Sequence, residues 1–382
     1  MATTQWTLID QSSNQRGKEG VMGTKTGSHA EFRRLDGGLS AGVDVVTINN
    51  GKLRIDVLPT RGMSVWKAWC GDEEIGWKSP TRGPVHPAFV DLGEPSGLGW
   101  LDGFDELLVR CGLESNGAPE HDANGKLLYP LHGRIGNKPA WKVELTIDEG
   151  TGEIVLTGWV EEIRFHFLKA SLKSTLRTTL GSTSFQIEDE ITNLSASPAE
   201  IQMLYHMNFG LPLLDGGSQL VAPVMEVVPR NEHAATDVAQ WNQYQPESPG
   251  FEEQVYFATL HSDKDGNSGA LLKNAHGTRG AHVQFNVQQL PCFTLWKNTT
   301  AAEDGYVTGL EPGTNFPNPR TFEGTQNRCV KLAGKESVTL KLAFDYCEDA
   351  DHVARAEAEL VALRSGEPKL HSTPQPTWCQ LD

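Results

Sequence analysis

Five short stretches of the 382-residue chain carry more polar chemistry than their apolar surroundings require. They are LPTRGMSV around Arg61, LLVRCGLE around Arg110, LHGRIG with His132 and Arg134, LYHMNFGLP with His206 and Asn208, and GLEPGTNFPNPR with Glu311, Asn315 and Arg320. Arg61, Arg110 and His206 sit at the ends of apolar runs, where burying a charge or an imidazole is costly unless it is paired. Paired polar groups converging at the mouth of a sandwich suit a polyol, because each sugar hydroxyl must exchange water for a protein hydrogen bond. The same residues also have plainer readings. A salt bridge to one of the 49 acidic residues accounts for Arg61 and Arg110, a turn accounts for His132, and Glu311 before Pro312 and Gly313 reads equally as a turn carboxylate.

The elements that must position these residues are mostly strands. Apolar residues alternate at Leu53, Ile55 and Val57, at Val143, Leu145 and Ile147, at Phe185, Ile187 and Ile191, and at Val338, Leu340, Leu342 and Phe344, the signature of half-buried strands. Turn clusters at residues 148–152, 193–198 and 263–268 separate them. One segment reads as a helix, from Asp351 as N-cap to Arg364, with Val353, Leu360, Val361 and Leu363 apolar and Gly366 then Pro368 ending it. The Gly/Pro-rich region from Trp77 to Pro139 exceeds ordinary loop length, and such loops are usually functional. No repeat or low-complexity linker divides the chain. The expectation is one large antiparallel all-β sandwich over residues 42–347, with an N-terminal extension (1–41) packing on it and a C-terminal helix and tail (348–382).

Composition narrows the function. A net charge of -16 repels phosphate backbones, so no nucleic-acid role is expected. No leader pattern opens the chain at MATTQWTLIDQSSNQ and no window approaches a membrane span, which points to a cytoplasmic protein without a membrane partner, acting as a monomer or homodimer. Six scattered cysteines lack C-x-x-C spacing and read as buried reduced thiols. Nucleotide-binding and nucleophile-elbow motifs are absent. No two histidines fall at i, i+2 or i, i+4, so no metal is expected, although a set of distant ligands such as His86, His132, His206 and Glu311 stays open.

Three landmarks taken together resemble the aldose 1-epimerase (galactose mutarotase-like) superfamily, and most closely its aldose-epimerase-like branch, domain-of-unknown-function family 4432. LHGRIGNKPAW resembles the superfamily's His-Gly loop, which carries a pocket histidine. DEITNLSASPAEIQMLYHMNFGLP resembles the segment that delivers the catalytic histidine, with His206 in that position, and LWKNTTAAEDGYVTGLEPGTNFP resembles the segment that ends in the catalytic glutamate, with Glu311 there. The sequence departs from the mutarotase pattern after the histidine, at Met207-Asn208-Phe209-Gly210. Arg61, Arg110 and Arg134 compete for the place of the substrate-binding arginine.

The resemblance implies a galactose mutarotase-like supersandwich and the interconversion of α and β anomers of a free aldose. That reaction needs a base at the C1 hydroxyl and an acid at the ring oxygen. Each contributes about 10²- to 10⁴-fold, enough without metal or cofactor for a reaction that already proceeds in water. Glu311 is expected as base and His206 as acid, its protonated form favoured by the carboxylate. His132 would bind the ring oxygen or a hydroxyl, Arg61 and Arg110 would fork onto hydroxyl pairs, and Trp296 or Trp141 would stack on the sugar. Two rivals remain: a non-catalytic carbohydrate-binding protein, and a metal-dependent sugar isomerase ligated by His132, His206 and Glu311, which elemental analysis separates.

Overall fold

The alternating segments are built as strands: Leu53–Leu58, Ala140–Asp148, Ser184–Asn193 and Ser337–Cys347. The structure, a computed structural model, describes residues 3–23 and 29–380. Residues 1–2 and 24–28 of the expected extension, and 381–382 of the tail, lie outside the described residues. Among the described residues, a ten-stranded and a fourteen-stranded sheet enclose the main core. Val143, Leu145, Ile187 and Leu342 from the first sheet pack with Ile55, Met203, Tyr205 and Met207 from the second.

The first 41 residues contribute strands to both sheets. Thr3–Asp10 pairs with Ala140–Asp148 in the ten-stranded sheet, and His29–Arg34 pairs with Asp44–Asn49 in the other. At the other end Lys369–Leu370 runs parallel to Val224–Pro229 at the edge of the fourteen-stranded sheet. The C-terminal helix spans Ala350–Ala362, two residues earlier than the sequence suggests, because the Asp349 carboxylate rather than Asp351 accepts from the His352 amide at 2.7 Å. Asp351 then lies in the first turn, where a negative charge faces the positive end of the helix dipole. Val353, Ala356 and Leu360 bury against Val221, Leu271 and Cys347, while Val361 is exposed. The cysteines are free thiols, and all but Cys70 are buried. No helix among the described residues is long and apolar enough to cross a membrane.

The region from Trp77 to Pro139 is not one loop. Its middle is the strand Leu108–Leu113, paired with Ala199–Phe209 in the fourteen-stranded sheet. The preceding segment folds back over the outer face of that sheet, where Trp77, Trp100 and Phe104 pack on Val109, Cys111, Leu204 and Val307. A second small core therefore lies outside the sandwich. This roofed outer face, not the mouth between the sheets, is where the candidates His132, His206, Trp296 and Glu311 meet.

Candidate active site

Strand parity decides which side chains reach the outer face. In Ala199–Phe209, Met203, Tyr205, Met207 and Phe209 point into the main core, so Leu204 and His206 point out. The register that pairs Leu204 with Gly313 and Met207 with Leu310 sets His206 beside Glu311 of Val307–Gly313. Glu311 in turn pairs with Thr294 of Cys292–Asn298. His206, Glu311 and Thr294 thus form one row across three adjacent strands, flanked in register by Val109 and Phe257. Trp296 lies two residues along from Thr294 on the same face.

The row floors a cavity of about 260 Å³, near the lower end of the range for small-molecule sites (about 300–1,000 Å³) and suited to one sugar ring. Trp100, Phe104, Leu98 and Leu101 roof it, and Arg230 and Glu253 lie at its rim. Aromatic rings box His206: its ring centroid is 5.2 Å from Phe104, 5.3 Å from His132 and 5.5 Å from Trp296.

His206 Nε2 lies 3.2 Å from Glu311 Oε1, with both side chains buried. The other imidazole nitrogen is fixed by Asn208. The Asn208 amide nitrogen donates to the Glu106 carbonyl at 3.0 Å, so its oxygen faces His206 and accepts from Nδ1–H at 2.7 Å. Nε2, the ring nitrogen left over, therefore faces Oε1 across that 3.2 Å contact. Burial pushes the Glu311 carboxyl well above its ordinary value, with the Glu253 charge adding and Arg230 opposing. Burial and the neighbouring His132 hold His206 well below the usual imidazole range, against the Asn208 hydrogen bond. Both directions favour the proton on the carboxyl over the imidazole. The expectation that the carboxylate keeps His206 protonated is thus reversed, because desolvation outweighs the partner's charge.

His132 adopts a left-handed φ of 55°, uncommon for a residue with a side chain. Its amide donates to Gly117 O, and its Nδ1–H donates to Asn116 O at 2.9 Å, since a carbonyl can only accept. Asn116 is braced by reciprocal amide bonds of 2.9 Å with Asn315. Burial lowers His132 to about 4, with the Asn116 bond raising it and Arg230 lowering it further. Neutral and protonated on Nδ1, it offers the cavity a bare Nε2, which accepts from a hydroxyl but cannot donate to a ring oxygen.

The remaining expected residues are placed as follows. Trp296 lines the cavity, its indole N–H donating to Glu253 at 2.7 Å. Arg61, Arg110 and Arg134 do not line it. Arg110 shares the parity of Leu108, so it enters the main core, where it forks onto Asp189 (2.5 and 3.1 Å) and donates to Ser174. Arg61 is equally closed, bound to Glu106 at 2.6 Å and donating to Val85 O, Gly103 O and Asn137 Oδ1, each at 2.9 Å. It clamps the roof segment rather than a ligand. Asn208 orients His206, Arg320 donates to Glu114 O, and Trp141 packs near Trp159 in the ten-stranded sheet. His86 caps a short turn away from the cavity lining, and among the described residues no three His, Cys, Asp or Glu side chains are grouped to hold a metal ion.

Sequence reasoning missed Trp100, Phe104, Thr294, Arg230 and Glu253. Only Thr294 carried a usable signal: it lies two residues before Trp296 and so shares its face.

Residues 40–345 match the family described as Domain of unknown function (DUF4432). None of the curated proteins matches the chain. Among solved structures, a Klebsiella pneumoniae protein named as a candidate aldose 1-epimerase is 33% identical, with a TM-score of 0.94 over 98% of this chain and 99% of its own. A galactose mutarotase-like protein of Clostridium acetobutylicum is 12% identical, with a TM-score of 0.57 over 83% of this chain and 98% of its own. A galactose 1-epimerase of Lactobacillus acidophilus is 14% identical, with a TM-score of 0.55 over 84% and 99%. The last two likenesses show the fold alone. It is the galactose mutarotase-like sandwich expected from the sequence.

Proposed function

The chain belongs to the DUF4432 family, and from that premise and the geometry of its cavity we propose that it is an aldose 1-epimerase-like isomerase, interconverting the α and β anomers of a free aldose. The observation that carries the proposal is the 3.2 Å contact between His206 Nε2 and Glu311 Oε1 on the floor of an aromatic cavity. In this reading residues 42–347 form the catalytic sandwich, with 1–41 and 348–382 as its flanks. The ligand is a small carbohydrate, and the chain works in the cytoplasm as a monomer or homodimer.

Bound sugar hydroxyls supply hydrogen bonds to the carboxylate, which favours moving a proton from Glu311 to His206. Glu311 then takes the proton of the anomeric hydroxyl while His206 delivers its own to the ring oxygen. The ring opens to the aldehyde, and the pair is left as neutral carboxylic acid and neutral imidazole, the state that burial stabilises. Rotation about the C1–C2 bond presents the other carbonyl face. Glu311 returns its proton to O1, His206 removes the proton from the hydroxyl that closes the ring, and the opposite anomer leaves. His132 Nε2 accepts from a substrate hydroxyl, and Trp296 offers a stacking face.

Polarimetry or exchange NMR on freshly dissolved α-anomers tests this, with wild type and Glu311→Gln side by side. Acceleration by wild type and none by a folded Glu311→Gln variant is the expected result. Equal acceleration by the two would remove Glu311 from the chemistry, and saturable sugar binding without acceleration would favour a carbohydrate-binding protein.

A further inference from the structure

Thr294 is buried, lines the cavity, and its hydroxyl has no hydrogen-bond partner. A threonine hydroxyl left unpaired in a buried site is destabilising, and valine would fill the same volume without that cost. The hydroxyl therefore calls for a ligand.

Its position indicates which part of the ligand. Across the sheet the polar row runs His206, Glu311, Thr294, on strands about 4.8 Å apart, and ends in Val109 on one side and Phe257 on the other. Across the anomeric centre of an aldose the oxygens run in a matching order: ring oxygen O5 and O1 on carbon 1, then O2 on carbon 2. On the functional reading above, His206 serves O5 and Glu311 serves O1. We infer that Thr294 binds the 2-hydroxyl, which makes the protein selective for aldoses that carry one over their 2-deoxy counterparts. The threonine hydroxyl both donates and accepts, so it can pair with O2 while that group hydrogen-bonds elsewhere.

The test measures kcat/KM for mutarotation of several aldoses, each beside its 2-deoxy counterpart and each divided by its own rate in buffer. Wild type should disfavour the 2-deoxy sugar by about 10- to 100-fold, the cost of leaving the Thr294 hydroxyl unpaired. In Thr294→Val the parent sugar should fall towards the 2-deoxy one, bringing the ratio within about threefold, whereas Thr294→Ser should keep it. Thr294→Val should melt no lower than wild type, which separates loss of recognition from loss of fold. A wild-type ratio near one, or an undiminished ratio in Thr294→Val, would overturn the inference and leave the mutarotase reading standing. No acceleration of any aldose by wild type would bring down both.

Discussion

Gly309 lies beside both groups of the proposed acid–base pair, and a single methyl there should displace them. A Cβ built on Gly309 would lie 2.5 Å from Glu311 Oε1, 3.0 Å from His206 Cε1 and 3.3 Å from Trp296 Cε3. Ordinary carbon–oxygen contact begins at about 3.3 Å, so the carboxylate must retreat by roughly 1 Å. That retreat disturbs the placement of the carboxylate against His206, now 3.2 Å away. Misplacing a reacting group by about 1 Å costs on the order of 10²-fold, and this is the loss in kcat expected for Gly309→Ala. The fold should survive. Gly309 is not among the positive-φ glycines, so alanine can adopt its backbone conformation. Alanine also stabilises by about 0.4–1 kcal/mol through the unfolded chain, offsetting part of the crowding. The assay is mutarotation by polarimetry with a thermal melt on the same samples. A folded Gly309→Ala enzyme with wild-type kcat would refute the reasoning, because the dyad could then be pushed apart without consequence.

Two further outcomes follow from the buried charges. Arg110→Met should destabilise the protein by about 3–5 kcal/mol in urea unfolding, because Asp189 is left buried and uncompensated, yet leave the kcat of the folded protein unchanged since the pair lies between the sheets; a fall in kcat without a fall in stability would return Arg110 to the site. Acid should also destabilise the protein. Burial lowers His282 to about 4, with Asp345 opposing and His352 adding, and lowers His132 to about 4 as well. Between about 6.5 and 4 the unfolded chain binds more protons than the native one, so stability present above 6.5 is lost as pH falls through that window. The effect is about 3 kcal/mol for His282 and less for His132, which borders an open cavity. Urea midpoints from pH 7 to 4.5 should fall more steeply for wild type than for His282→Gln, and parallel slopes would contradict the assignment.

The strands, the C-terminal helix and the dyad were legible because their signals are local or ordered along the chain. Alternation at Val143, Leu145 and Ile147 needs no partner to be read, and His206 and Glu311 sit in long stretches that resemble known landmarks. Arg110 shows where such reading stops. In LLVRCGLE, Val109 and Cys111 face the cavity side while Leu108 and Arg110 face the main core. A strand alone does not say which of its two faces will be covered by what. Only the long-range register that sets Val109 against His206 assigns them, and a one-residue slip would exchange them all. Arg61 lay beyond reach for a related reason, since its partners Glu106, Gly103 O, Val85 O and Asn137 meet it only once the Trp77 segment has folded back over the sheet.

That folded-back segment belongs to the proposed chemistry as much as the dyad does. On a bare sheet face His206 and Glu311 would meet in water, where a carboxylate and an imidazole keep their ordinary proton affinities and a 3.2 Å contact gains little. Trp100 and Phe104 cover the pair, and burial then lowers the proton affinity of the imidazole and raises that of the carboxyl, directions that favour the proton on the carboxyl. In the proposed reaction such a pair changes state by moving one proton between adjacent groups, tipped by the hydroxyls of a bound sugar. Arg61 is central to the arrangement, since it ties the Gly103 carbonyl next to Phe104 and the Glu106 carboxylate to the sheet while the Glu106 carbonyl accepts from Asn208, which fixes the His206 ring. Roof and proposed acid–base pair are thus held by one continuous set of hydrogen bonds, so the segment that covers the cavity also sets the orientation of the imidazole beneath it.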